Sequence, residues 1–160
     1  MPEKTQTVAA REKETGRLEA FSDGVFAIAI TLLALELKVP HIELSGNMTD
    51  RRISGLANQW PSYFAFATSF FTVLVMWVHH HAIFRLVRGA DATLLFANGF
   101  LLMLVTVVPF PTAVVAEYLR TPAAGAACTF YASFFVLISI GFSVLLWAAR
   151  YWICTRAPRR

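Results

Sequence analysis

Apolar residues run along this chain in long blocks, and the charged residues gather between them. No Asp, Glu, Lys or Arg occurs from Pro61 to Val78, from Ala92 to Ala116 or from Thr121 to Ala149. Each block matches or approaches the roughly 20 apolar residues that cross a bilayer as a helix. A shorter apolar run, Val25 to Leu35 with Thr31 inside it, lies nearer the N-terminus. A helix from Arg17 to Val39 is about 35 Å long, enough to span if its polar ends are buried in protein or face water. The pattern therefore predicts an all-α, polytopic membrane protein. Its four transmembrane helices are expected at about 17–39, 61–84, 92–116 and 124–149. A loose polar tail over 1–16 precedes them and a basic tail over 150–160 follows.

Punctuation residues fit these limits. Trp60-Pro61 reads as a helix start, with Pro in the first turn and Trp at the interface. Residues 40–58 read as an external loop. Gly89-Ala90-Asp91 reads as a tight turn, with Asp91 as N-cap of the third helix. Pro109-Phe110-Pro111 is expected to break or kink that helix, because proline removes a backbone donor. Thr121-Pro122 precedes the fourth helix, and Trp147, Tyr151 and Trp152 form an aromatic belt near its end. A cleaved signal peptide is disfavoured for the first run: Glu12, Glu14, Glu19 and Asp23 spoil a basic head, and no Ala-x-Ala site follows.

Composition agrees. The chain is 57% hydrophobic and only 15% charged, against roughly 25% charged in soluble domains. Ten of the fourteen Lys and Arg residues fall in the N-terminal segment, the 85–91 turn and the C-terminal tail. The positive-inside bias then places both termini in the cytoplasm, with the protein in the cell membrane. The net charge of +4 is a topology signal and implies no nucleic-acid partner. Cys128 and Cys154 lie near opposite ends of one predicted helix and cannot pair within a subunit; core packing is expected for Cys128.

The first helix carries the chemistry. With Gly24 at the origin and a helical step of about 100°, Thr31, Leu35, Ile28 and Leu32 fall at roughly 340°, 20°, 40° and 80°. They form one stripe. Ala27 and Ala34 flank it, and small residues allow close helix approach. Asp23 falls at roughly 260°, off the stripe. Ser22 or Asp23 can simply cap the helix. If the helix begins near Gly16, the pair lies inside it and needs partners on other helices, because a carboxylate in a membrane helix is costly. Trp77, His79, His80, His81 and Asn98 are the polar residues at the right depth.

Arg17-Leu18-Glu19-Ala20-Phe21-Ser22-Asp23 fits an RxxxFSD pattern. Followed by GVFAIAITLLALEL, it resembles the signature and first helix of the transmembrane protein 175 potassium channels. Trp77 and His80 are similar to the family's Trp-x-x-His, and Asp91, Asn98 and Pro109 are similar in spacing to its third helix. The resemblance covers residues 17 to about 111. It implies a potassium-permeable channel with no TVGYG filter, built as a homotetramer around copies of the first helix. It implies a pore face of Ile28, Thr31, Leu32 and Leu35, with Ile28 as the narrowest ring. It also implies that Arg17, Phe21, Ser22 and Asp23 tie that helix to Trp77, His80 and Asn98. Potassium would pass transiently, with no cofactor and no structural metal. Family repeats have six membrane helices where four are counted here, so a truncated or non-conducting assembly subunit is the alternative.

An isoleucine ring can gate by excluding water, and Thr31 can offer hydroxyl oxygens to a cation. Glu36 sits near the outer mouth, where it either concentrates cations or is a solvated helix end. Consecutive histidines on a helix point about 100° apart, so His79, His80 and His81 cannot share one metal within a subunit. Glu117 and Arg120 read as a solvated pair. No Ser-His-Asp set, HExxH or phosphate loop occurs, which argues against an enzyme.

Overall fold

The computed structural model describes residues 2–37, 55–87, 89 and 91–156, with side chains described from residue 13 to residue 155. Residues 38–39 of the expected first span, 40–54 of the expected 40–58 loop, Arg88, Ala90 and residues 157–160 lie outside them. Five helices are bounded as α1 (Pro2–Leu35), α2 (Trp60–Phe84), α3 (Ala92–Val107), α4 (Pro109–Tyr118) and α5 (Ala124–Arg156). Residues 55–58 add one helical turn ahead of α2. Four segments are long and apolar enough to cross a membrane: Lys13–Leu35, Trp60–Phe84, Ala92–Tyr118 and Ala124–Thr155. The first begins ahead of Arg17, and α1 itself runs back to Pro2. The N-terminal segment is therefore helical, not a loose tail. It carries Glu, Lys and Ala, which lose little in adopting a helix.

Local sequence sets the helix ends. Proline occupies the first turn of α2, where its missing N–H removes nothing a helix would use. The Asp91 carboxylate caps α3 by accepting from the Leu94 amide at 2.9 Å. At the far end, Pro109 and Pro111 split the third span into α3 and α4. Pro109 has no N–H for the Val105 carbonyl, which instead accepts from the Val108 amide at 3.2 Å. The Thr112 amide and hydroxyl then both donate to the Val108 carbonyl, at 3.3 and 2.9 Å. Backbone freed by proline is thus satisfied inside the bundle, as a low-dielectric membrane interior demands.

α1 packs against α2 and α3, α3 against α5, and α4 against α2 and α5. The core joins Phe26, Ala29 and Leu33 of α1 with Val73, Leu94, Leu101, Val105, Ile138 and Leu145. Gly141 lets α5 approach α3 closely: a Cβ there would stand 3.3 Å from the Leu101 and Leu104 methyls. Two expectations are corrected. Cys128 is exposed on α5 rather than packed in the core. Trp152 is buried, while Trp147 and Tyr151 stack at the surface with ring centroids 5.8 Å apart.

Candidate functional site

The two sides of α1 differ. Ser22, Phe26, Ala29 and Leu33 are buried against the subunit. Gly24, Ala27, Ile28, Thr31, Ala34 and Leu35 are exposed, with Ile28 58% and Leu35 75% open. Nothing stands within 4 Å of where a Gly24 Cβ would be. Leu32 lies at the margin of this face, half-buried. Ala27 and Ala34 make no close approach within the subunit and belong to the open side. The Thr31 hydroxyl donates to the Ile28 carbonyl at 2.8 Å.

The buried side is tied to α2 and α3 by a directed hydrogen-bond chain. Ser22 Oγ donates to the Leu18 carbonyl at 2.9 Å. Its one hydrogen is committed there, so it can only accept from Asn98 Nδ2, 3.0 Å away. That fixes the amide, and turns Asn98 Oδ1 toward His80 Nε2 at 2.7 Å. Oδ1 only accepts, so Nε2 carries a proton. His80 is fully buried, with its ring stacked on Phe84 at 4.5 Å and tilted against Phe26 at 5.3 Å. Its Nδ1 has no hydrogen-bond partner among the described residues.

A second link lies beside it. Trp77 Nε1 donates to Asp23 Oδ1 at 2.8 Å. Asp23 therefore sits well inside α1 with a partner on α2, and does not cap a helix. His81 stacks on Trp77 with centroids 6.0 Å apart and brings Nδ1 to 2.7 Å from Glu19 Oε1. The two atoms approach without hydrogen-bond alignment. His79 points elsewhere, with Nδ1 2.8 Å from the Val75 carbonyl. Among the described residues no His, Cys, Asp and Glu group could hold a metal.

Four residues of the RxxxFSD stretch were expected in one network, and the structure divides them. Ser22 and Asp23 join it. Arg17 is exposed and Phe21 is 64% exposed, both on the open side. Arg120, expected to pair with Glu117, is exposed and reaches the Asn58 carbonyl at 3.3 Å. Three features escape the sequence reading: the two phenylalanines around His80, the Glu19–His81 contact, and a buried hydroxyl cluster. In that cluster Ser69 Oγ lies 2.8 Å from Thr112 Oγ1 and 2.9 Å from Tyr131 Oη. Ser69 and Thr112 are polar residues within charge-free blocks, which was the available signal.

The sequence model of the family described as endosomal/lysosomal potassium channel TMEM175 matches residues 17–109, more than half of the chain. The chain belongs to the TMEM175 family. The matched region holds the open face of α1 and all of the Ser22–Asn98–His80 chain, while Thr112 and Tyr131 lie beyond it. A potassium channel of Chamaesiphon minutus is 56% identical over 137 residues, covering 86% of this chain and 66% of that protein. One of Streptomyces collinus is 47% identical over 135 residues, covering 84% and 64%. The endosomal/lysosomal proton channel TMEM175 of Homo sapiens is 32% identical over 110 residues, covering 66% of this chain and 22% of its own. The crystal structure of a lysosomal potassium-selective channel TMEM175 homolog from Chamaesiphon minutus superposes with a TM-score of 0.78 at 57% identity. It covers 83% of this chain and 70% of that one. The chain thus spans just under two thirds of the length of these two bacterial relatives.

Proposed function

We propose that this chain is a subunit of a potassium-permeable cation channel in the cell membrane, with both termini cytoplasmic. Copies of α1 surround the axis of a homotetramer. Ile28, Thr31, Leu32 and Leu35 line the pore, and Ile28 forms the constriction. The protein acts by permeation, not catalysis. One observation carries this reading. α1 turns Ser22 and Phe26 inward while leaving the Ile28, Thr31 and Leu35 stripe uncovered by its own subunit. A ring of copies gives that stripe a common axis. The bacterial relatives named as potassium channels are more similar to the chain than the animal proton channels, which favours potassium.

In this reading the constriction excludes water when closed, and widening admits a cation. Asp23, Ser22, Trp77, His80 and Asn98 hold α1 in place and do not touch the ion. Purified protein reconstituted into liposomes under a potassium gradient should release potassium. Ile28→Asn should raise flux severalfold or loosen selectivity, and unchanged flux would move the constriction elsewhere. A proton-flux arm separates potassium from proton permeation. A second reading is a non-conducting assembly subunit. Well-folded protein without flux would select it.

A further inference from the structure

The open stripe of α1 does not stop at Gly24. On the same wheel Arg17 falls at roughly 20°, the bearing of Leu35 and between those of Ile28 and Thr31. Ala20, one turn further along the chain, is also exposed, so exposed positions run without a break from Arg17 to Leu35. Arg17 lies inside the membrane-capable segment Lys13–Leu35. Among the described residues no carboxylate forms an ion pair with it. It shares a shallow cleft with Glu14, Leu18, Phe21 and Leu95. The other charged side chains near this bearing are Lys13, at roughly 340°, and Glu14, at roughly 80°.

We infer that Arg17 is a pore-mouth residue: its copies form a cationic ring at the cytoplasmic end of the face that carries Ile28, and this ring sets how readily cations enter from that side. The inference rests on the proposed α1-lined pore and adds to it a residue that controls conductance. A guanidinium in a membrane helix needs water, a headgroup or a partner. Facing the axis, Arg17 meets the water of the mouth. It stands about 16 Å along the helix from Ile28, too far to touch an ion at the constriction. It is near enough to lower the local cation concentration at the mouth. With Lys13 beside it, two cations outweigh Glu14 in each subunit. Cation flow out of the cytoplasm is then depressed relative to flow inward.

The alternative for an arginine at this depth is a lipid-facing side chain that reaches the headgroups. Current–voltage curves from inside-out patches of cells expressing the full chain separate the two. They are recorded in symmetric potassium chloride at about 0.01 M and then about 1 M, where the Debye length falls from about 30 to about 3 Å. Arg17→Glu should raise the ratio of outward to inward current about threefold in low salt, with Arg17→Gln shifting it less in the same direction. The difference should vanish in high salt. If Arg17→Glu fails to assemble, Arg17→Cys in a chain also carrying Cys128→Ser and Cys154→Ser takes its place. Cationic and anionic thiol reagents should then move the ratio in opposite directions. An unchanged ratio, or a shift the other way, in a wild-type channel that conducts overturns the ring and leaves the pore intact. Absence of current from folded wild-type protein overturns the pore reading and the ring with it.

Discussion

Two polar knots hold this bundle, and they are built alike. In the first, His80 donates to Asn98, Asn98 to Ser22, and Ser22 to the Leu18 carbonyl. In the second, Thr112 gives its hydrogen to the Val108 carbonyl, so it must accept from Ser69, which in turn accepts from Tyr131. Each is a one-way chain that ends on a backbone carbonyl four residues before the last hydroxyl. They differ in what they join. The first ties α1 to α2 and α3; the second ties α2 to α4 and α5 and never touches α1. Between helices in a bilayer, apolar surface gives little preference for one neighbour over another, because lipid is equally apolar. Directed polar contacts then carry much of the specificity. The first knot therefore bears on where α1 stands, and the second on how the broken third span is braced.

This contrast can be broken at several points. The largest effect should come from Asn98→Leu. It leaves His80 Nε2 without its acceptor, an orphaned buried donor that costs about 1–3 kcal/mol, and removes the Asn98 donor from Ser22, which keeps its bond to the Leu18 carbonyl. Thermal melting in detergent should fall by many degrees, and the proposed homotetramer should no longer be captured by cross-linking. Trp77→Phe should come next. It leaves Asp23 without its donor but keeps an aromatic ring beside His81, so assembly should weaken while the monomer stays folded. Ser69→Ala removes the middle of the second knot. It should destabilise the fold by about 1 kcal/mol without altering potassium flux through the proposed channel. Tyr131→Phe should do least, since only the outermost donor is lost. Combining Tyr131→Phe with Asn98→Ala sharpens the comparison: the melting losses should add, as they do for sites without shared partners. Strong non-additivity would mean the two knots act as one.

Much of this was legible in the sequence. Charge-free blocks located the spans, because an ion in hydrocarbon is too costly to scatter. Trp77, His79, His80, His81 and Asn98 were grouped as partners for Ser22 and Asp23 because they are polar residues at one depth. The structure joins Trp77 to Asp23 and Asn98 to both His80 and Ser22, while His79 meets the Val75 carbonyl and His81 meets Glu19. The wheel gave the Ile28, Thr31 and Leu35 stripe, and the structure leaves it uncovered. What failed was grouping by adjacency in sequence. Arg17 and Phe21 were placed with Ser22 and Asp23 because they share a motif. A helix separates near neighbours by about 100° per residue, and the bearing of Arg17 already matched that of Leu35. Cys128 and Trp152 failed for a related reason. In a membrane, apolar character alone does not say which side of a helix faces protein. The phenylalanines around His80 were hidden among fourteen phenylalanines that pattern alone cannot rank.

α2 is the one helix that contributes to both knots, through His80 and Ser69. These residues stand about 16 Å apart along its axis, three turns from one another. A shaft keyed at two levels can neither screw nor slide without shearing both keys. Sliding α2 by one residue, about 1.5 Å, or turning it by one step would break hydrogen bonds at both depths together. α2 is therefore the stator of the subunit. α1 is keyed in its N-terminal half, by Ser22 and Asp23, and beyond Gly24 no side chain ties it with a hydrogen bond to another helix among the described residues. Past Gly24, α1 is held to its neighbours by packing, whereas displacing α2 breaks hydrogen bonds at two depths.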